Sequence, residues 1–201
     1  MPLEIEVKFL LADPSQIRRR LIELGADPRG RAFEKNVRFE DRQNSFKSTG
    51  RLLRLRLDRR TRLTFKSIEP DAESEYKVYR ELEVTVDDFQ TMHRLLEAVG
   101  FYPAQQYEKW RETFYLEHTE FCLDTLPFGE FLEIEGERRS IRAFADRLGL
   151  SWENRILDTY LQIFEQLRRH KGLSFSDLTF DNFKTVQVNQ TWLAETLGKN
   201  H

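Results

Sequence analysis

The residues that could do chemistry in this sequence come as charged pairs two positions apart, with apolar residues between them. Glu4, Glu6 and Lys8 alternate with Ile5 and Val7, and Arg54 and Arg56 alternate with Leu53, Leu55 and Leu57. Glu81 and Glu83 alternate with Leu82 and Val84, Lys109 and Arg111 flank Trp110, and Glu133 and Glu135 alternate with Leu132 and Ile134. Lys66 and Asp124 stand alone in similar segments. Successive side chains of a β-strand point to opposite faces, so each pair shares a face. Two like charges so placed repel, and acidic pairs beside basic pairs on neighbouring strands relieve the repulsion. One such pair reads as a solvated surface; its repetition along the chain points to a shared charged surface. If the sheet closes with these faces inward, its bore holds carboxylates and cations together, and the array needs counter-ions, water and ligands. Carboxylates without His or Cys partners suit hard cations, Mg²⁺ or Mn²⁺. Arginine forks and lysine point charges suit phosphate oxygens. The two together describe a site for a metal–polyphosphate complex.

Strands must carry these pairs. Period-2 alternation predicts them over Leu3–Leu10, Val37–Asp41, Leu52–Asp58, Thr61–Ser67, Tyr79–Val86, Tyr107–Leu116, Thr119–Leu126 and Phe131–Glu137. Short strands in this number fit a barrel. Helices are predicted at Pro14–Leu24, Asp87–Val99, Ile141–Leu148 and Ser151–Arg169, each with start or stop signals such as Pro14, Gly25, Gly100 and Gly149. In the last of these, Ile156, Tyr160, Ile163, Phe164 and Leu167 form one apolar face suited to packing. A polar turn is expected at Pro70–Glu75, and a final helix at Gln190–Leu197. The organisation expected is one domain over residues 1–172, with residues 173–201 as an extension that caps the barrel.

Composition narrows the function. The chain has 201 residues, with 32 Lys and Arg against 34 Asp and Glu, a formal charge of -2. Such a balance gives no overall field for nucleic acid or anionic lipid, so a bound anion must be held by a local cluster. The lone Cys122 excludes an internal disulfide and a Cys-based zinc site, and is expected to be a small buried residue. His93, His118, His170 and His201 have no ligating spacing and are expected at the surface or in packing. GxxxxGK[ST], GxGxxG and HExxH motifs are absent. The N-terminal segment lacks a signal-peptide pattern, and no run approaches the ~18 apolar residues of a membrane span, so a cytoplasmic protein is expected, monomeric or homodimeric.

In order along the chain, EIEVK (Glu4, Glu6, Lys8), RLLRLRL (Arg54, Arg56), LTFKS (Lys66), RELEV (Glu81, Glu83), EKWRETF (Lys109, Arg111) and CLDTLPFGEFLEIEG (Asp124, Glu133, Glu135) resemble the motifs of the CYTH superfamily of triphosphate tunnel metalloenzymes. The resemblance covers about residues 1–165. It implies an α+β fold, an eight-stranded antiparallel β-barrel forming a tunnel with helices packed outside, that uses one or two Mg²⁺ or Mn²⁺ ions. Family members include CyaB-type adenylate cyclases, thiamine triphosphatases and inorganic triphosphatases. By the same resemblance, Lys8, Arg54, Arg56, Lys66, Lys109 and Arg111 bind the phosphate chain, with Glu81 and Glu83 completing the lining. Glu4, Glu6, Asp124, Glu133 and Glu135 serve the metal. Lys109, with Glu6 and Lys8, is the candidate catalytic set. The family often has a tyrosine supporting a catalytic lysine near Asn36–Asp41, where this sequence has Phe39. The expected activity is hydrolysis of tripolyphosphate, thiamine triphosphate or a nucleoside triphosphate. The alternatives are cyclisation of ATP to cAMP and pyrophosphate, and polyphosphate or nucleotide binding without turnover.

Overall fold

Every strand divides its side chains between a charged interior and an apolar exterior. The structure, a computed structural model, describes residues 3–69, 75–186, 188, 192–193 and 196–198. In chain order its strands are β1 (Leu3–Leu10), β2 (Asp27–Glu40), β3 (Arg51–Leu57), β4 (Thr61–Ile68), β5 (Lys77–Val86), β6 (Tyr102–Leu116), β7 (Thr119–Leu126) and β8 (Gly129–Glu135). The helices are α1 (Pro14–Glu23), α2 (Ser45–Ser48), α3 (Phe89–Ala98), α4 (Arg138–Arg147) and α5 (Tyr160–Lys171). The strands pair antiparallel in the order β1-β5-β4-β3-β2-β6-β7-β8, and β8 returns to β1 to close the barrel. The expected α+β barrel is therefore the fold observed.

Alternation decides the two sides. On β1, Val7 and Phe9 turn outward and are fully or almost fully buried under α1 and α4, with Ile17, Leu21, Ile141 and Phe144. Outward residues of β2 and β3 (Val37, Phe39, Leu53, Leu55) pack with Leu96 of α3. Helix α5 closes one end, where Ile163, Phe164 and Leu167 meet the inward-facing Tyr107 and Phe131. Leu178, Phe183 and Leu193, from beyond residue 172, pack into the same cluster. Among the described residues no helix is long and apolar enough to cross a membrane.

Several boundaries differ from the sequence reading. β2 begins at Asp27 rather than Val37. Its first half pairs with β6, and only Lys35–Phe39 pairs with β3. That half reads PRGRAFEK and has little apolar alternation, so the long partner strand organises it. Gly30 lies at a register shift with φ 93°, and a Cβ there would sit 2.6 Å from the Arg59 guanidinium, which bonds the flanking carbonyls of Arg29 and Arg31. The predicted helix Ser151–Arg169 is also corrected. Trp152–Asn154 is a single 3-10 turn, Ile156 pairs with the backbone of Lys8, and the helix starts at Tyr160. The true start is a capping box: the Thr159 hydroxyl accepts from the Gln162 amide, and the Gln162 side chain accepts from the Thr159 amide. Pairing with β1 at Ile156 outcompetes the helical pattern. Residues 70–74 of the expected polar turn, and half of the expected helix Gln190–Leu197, lie outside the described residues.

Phe121 of β7 is fully buried between the barrel wall and α4, its ring 5.0 Å from that of Phe144 and perpendicular to it. Replacing it with alanine removes that packing and leaves a cavity. The Phe121→Ala variant is expected to lose about 3–5 kcal/mol of stability, read by denaturant unfolding.

Candidate active site

The inward faces enclose one cavity of about 600 Å³. It is lined by Glu4, Glu6 and Lys8 of β1, Arg54 and Arg56 of β3, Lys66 of β4, and Glu81 and Glu83 of β5. Lys109 and Arg111 of β6 and Glu133 and Glu135 of β8 complete the predicted set. Asp124 of β7 sits just behind this surface, 0 % exposed. The structure thus brings all the sequence-selected side chains to one place.

They meet as an alternating circuit of opposite charges. Lys8 is paired to Glu6 and lies 3.2 Å from Glu133. Glu133 is paired to Arg111, which grips both oxygens of Asp124 at 2.7 and 2.5 Å. Lys109 lies 2.9 Å from Asp124 and 3.7 Å from Glu34, and Glu34 lies 3.3 Å from Arg56. A second group runs alongside. Lys66 is paired to Glu4 and lies 2.6 Å from Glu81. Arg54 donates to the Thr64 hydroxyl at 3.2 Å, and that hydroxyl donates to Glu83 at 2.8 Å. Glu6, Lys8, Arg54, Arg56, Lys109 and Glu133 are all buried.

Burial and neighbours shift the protonation of these groups. Burial opposes charge on Lys8, yet Glu133 and Glu6 hold its ammonium above the usual range. Burial likewise opposes charge on Glu133, and Arg111 and Lys8 hold it well below the usual carboxylate range. Glu135 has the opposite fate. Burial, and the negative charge of Glu4, Glu120 and Glu6, push its carboxyl up to about 8. The barrel therefore has an acidic corner where a cation is wanted, and the oxygen-only donor set suits a hard divalent ion. Among the described residues no three carboxylate, His or Cys groups already converge with metal-holding geometry. Instead, Glu4, Glu6 and Glu133 face amines and guanidinium groups.

Sequence reasoning missed several members of the site. Glu34 and Asn36 share the inner face of β2 with Arg38 and Glu40, and Arg56 donates to Asn36 at 3.1 Å. Their alternation was readable once the strand was taken back to Asp27. Tyr160 had no such signal, because it comes from α5. Its hydroxyl donates to Asp124 at 2.9 Å, and Lys8 and Lys109 lie 5.4 and 5.1 Å from its ring centre. Phe39 turns outward, 5.1 Å from the ring of His93, so the tyrosine beside these lysines is Tyr160. Cys122 is buried, and burial pushes its thiol up, against a nucleophilic role.

A family model described as the CYTH domain matches residues 2–173. A Methanocaldococcus jannaschii protein provisionally named adenylate cyclase is 25% identical over 171 residues, 84% of this chain and 91% of the relative. The PH1012 protein of Pyrococcus horikoshii superposes with TM-score 0.69 at 28% identity, covering 79% of this chain and 98% of that one. A Hippeastrum protein provisionally named adenylyl cyclase, and described as having a dominant triphosphatase activity, superposes with TM-score 0.57 at 20% identity over 81% of this chain and 95% of its own.

The Glu135 shift has a measurable consequence. Its folded carboxyl titrates at about 8, above its ordinary value of 4.5, so the folded state holds the proton that the unfolded chain releases. Stability contributed by the neutral acid is complete below the unfolded value and declines as pH rises toward 8. Between pH 5 and 7, in metal-free buffer, thermal melts of the wild type should fall more steeply with pH than those of Glu135→Gln. Parallel curves would remove the acidic corner.

Proposed function

This chain belongs to the CYTH family, and from that premise we propose that it hydrolyses a small triphosphate inside the barrel with the help of a divalent metal. The carrying observation is the buried circuit of alternating cations and carboxylates around a cavity of about 600 Å³. As it stands the circuit neutralises itself. A triphosphate that enters must draw Lys8, Lys66, Lys109 and the arginines away from their carboxylates. The carboxylates so released have no other partner in a low-dielectric bore. A divalent cation fits that vacated charge, so metal and triphosphate are expected to bind cooperatively.

Arg54, Arg56, Lys66 and Arg111 hold phosphate oxygens, the arginines by paired hydrogen bonds and the lysine as a point charge. Glu4, Glu6, Glu133 and Glu135 are the carboxylates that would hold Mg²⁺ or Mn²⁺, whose chemistry is to neutralise phosphate oxygens and acidify bound water. Asp124 is engaged by Lys109, Arg111 and Tyr160, and it orients those two cations. In hydrolysis, a water oxygen forms a bond to the terminal phosphorus, and the bridging P–O bond breaks. Lys109 and Lys8 neutralise the charge that develops on the leaving oxygen, while Glu6 orients the water and takes its proton. The protein's part is positioning and electrostatic stabilisation, as is usual for phosphoryl transfer.

The second reading is cyclisation of ATP, favoured by the name of the M. jannaschii relative. There the ribose 3′-hydroxyl would attack the α-phosphorus and expel pyrophosphate. The triphosphatase activity described for the Hippeastrum protein, on the same fold, supports giving hydrolysis precedence.

With tripolyphosphate and Mg²⁺ or Mn²⁺, the wild type should release orthophosphate. Lys109→Ala and Glu6→Gln, still folded by circular dichroism, should each lose about 10²–10³ in kcat. Retention of activity within a few-fold in both removes the assignment. Incubation with ATP and separation of products decides between the two reactions, since cAMP appears only by cyclisation.

A further inference from the structure

The barrel wall has a seam beside Lys109, and chain from beyond the CYTH match fills it. Strand β6 pairs with β2 from Tyr102 to Tyr115, but with β7 only from Trp110 to Leu116. The half of β6 before Trp110 therefore has an edge that β7 does not reach, and Lys109 is the cavity-lining residue next to the point where the two strands part. Residues 176–180, past the end of the family match at residue 173, occupy that edge. The Leu178 amide donates to the Gln106 carbonyl at 2.9 Å, and the Leu178 carbonyl accepts from the Glu108 amide at 2.9 Å, a parallel pairing. On either side of it, the Asp177 carboxylate accepts from the Gln106 amide at 2.9 Å, and the Glu108 carboxylate accepts from the Phe180 amide at 3.1 Å. Leu178 is fully buried.

The same stretch of chain grips α5. Phe175 and Phe183 pack on Phe164 with ring centres 6.0 and 5.9 Å away, and Leu178 shares that cluster with Tyr107 and Tyr160. It thus ties together the two elements that meet at Asp124: β6, which supplies Lys109, and α5, which supplies Tyr160. The Lys109 ammonium lies 2.9 Å from Asp124 and 5.1 Å from the Tyr160 ring centre, and both distances depend on β6 and α5 keeping their spacing. Misplacement of a catalytic group by about 1 Å is enough to cost much of its effect.

We propose that Asp177 and Leu178 are positioning residues for Lys109: residues 176–180 act as a short additional strand that closes the wall next to this lysine and fixes its ammonium beside Asp124. The role rests on the triphosphate reading given above, in which Lys109 meets the charge on the leaving oxygen.

The test measures steady-state hydrolysis of tripolyphosphate, with Mg²⁺ or Mn²⁺, by full-length variants checked for folding. Asp177→Ala and Glu108→Ala, which each unpair one amide of the seam, should lower kcat about tenfold and leave KM within about twofold of wild type. Asp177→Asn, which keeps the accepting oxygen, should stay within about twofold in kcat. In a Lys109→Ala background, Asp177→Ala should cost less than about twofold, because the group it positions is gone. Hydrogen exchange reads the seam without substrate: the Gln106 and Glu108 amides should be protected in wild type and in Asp177→Asn, and should exchange faster in Asp177→Ala. Unprotected wild-type amides overturn the seam. A kcat loss under about threefold in both alanine variants, or an undiminished loss in the Lys109→Ala background, overturns the positioning role. A wild type that protects these amides but releases no phosphate fails at the triphosphate reading itself, a result distinct from loss of the Lys109 role in an active enzyme.

Discussion

An ionised side chain inside a protein is costly unless a partner of opposite charge meets it, and this barrel carries such side chains on every strand. The rest of the architecture answers to that condition. Lys8 sits between Glu6 and Glu133, Lys109 between Asp124 and Glu34, and Lys66 between Glu4 and Glu81. Because the strands give their polar faces to the interior, their apolar faces point outward. Helices α1, α4 and α3 cover much of the outside, leaving Leu82 and Val84 of β5 exposed, and the hydrophobic core is a partial mantle around a charged centre.

This inversion has a chemical use. A filled apolar centre could not admit a polyanion, whereas a centre lined by paired charges can exchange partners. The acidic and basic members neutralise each other in the absence of ligand, so on the proposed reading neither a metal ion nor a phosphate chain alone would complete the set. Glu135 shows where pairing is incomplete on the acidic side, since burial and its carboxylate neighbours favour its neutral form. Lys77 shows the same on the basic side, its amine lacking a hydrogen-bond acceptor among the described residues.

Helix α5 links packing to this centre. Its buried face, Ile163, Phe164 and Leu167, closes one end of the barrel, and its first residue, Tyr160, reaches Asp124. Asp124 is thereby held by a hydroxyl from the helix and by Lys109 and Arg111 from β6. A shift of α5 would be felt directly by two cations of the site.

Much of this was legible in the residue order. Alternation is local: with side chains on opposite faces at each step, Glu4, Glu6 and Lys8 had to share a face, as did Arg54 with Arg56 and Lys109 with Arg111. The charged strand faces, the barrel class and the meeting of carboxylates with cations on a shared inner face followed from that. What stayed hidden was non-local. Glu34 and Asn36 lie in a strand whose first half has little apolar alternation and is organised by pairing with β6. The start of α5 moved from Ser151 to Tyr160 because Ile156 pairs with β1, a contact between distant parts of the chain. Which carboxylate answers which cation depends on strand order and register, and these are set by closure of the whole ring. The sequence by itself determined which side chains face inward; only the tertiary structure decided their partners, because hydrogen-bonded register between distant strands has no signature within any one of them.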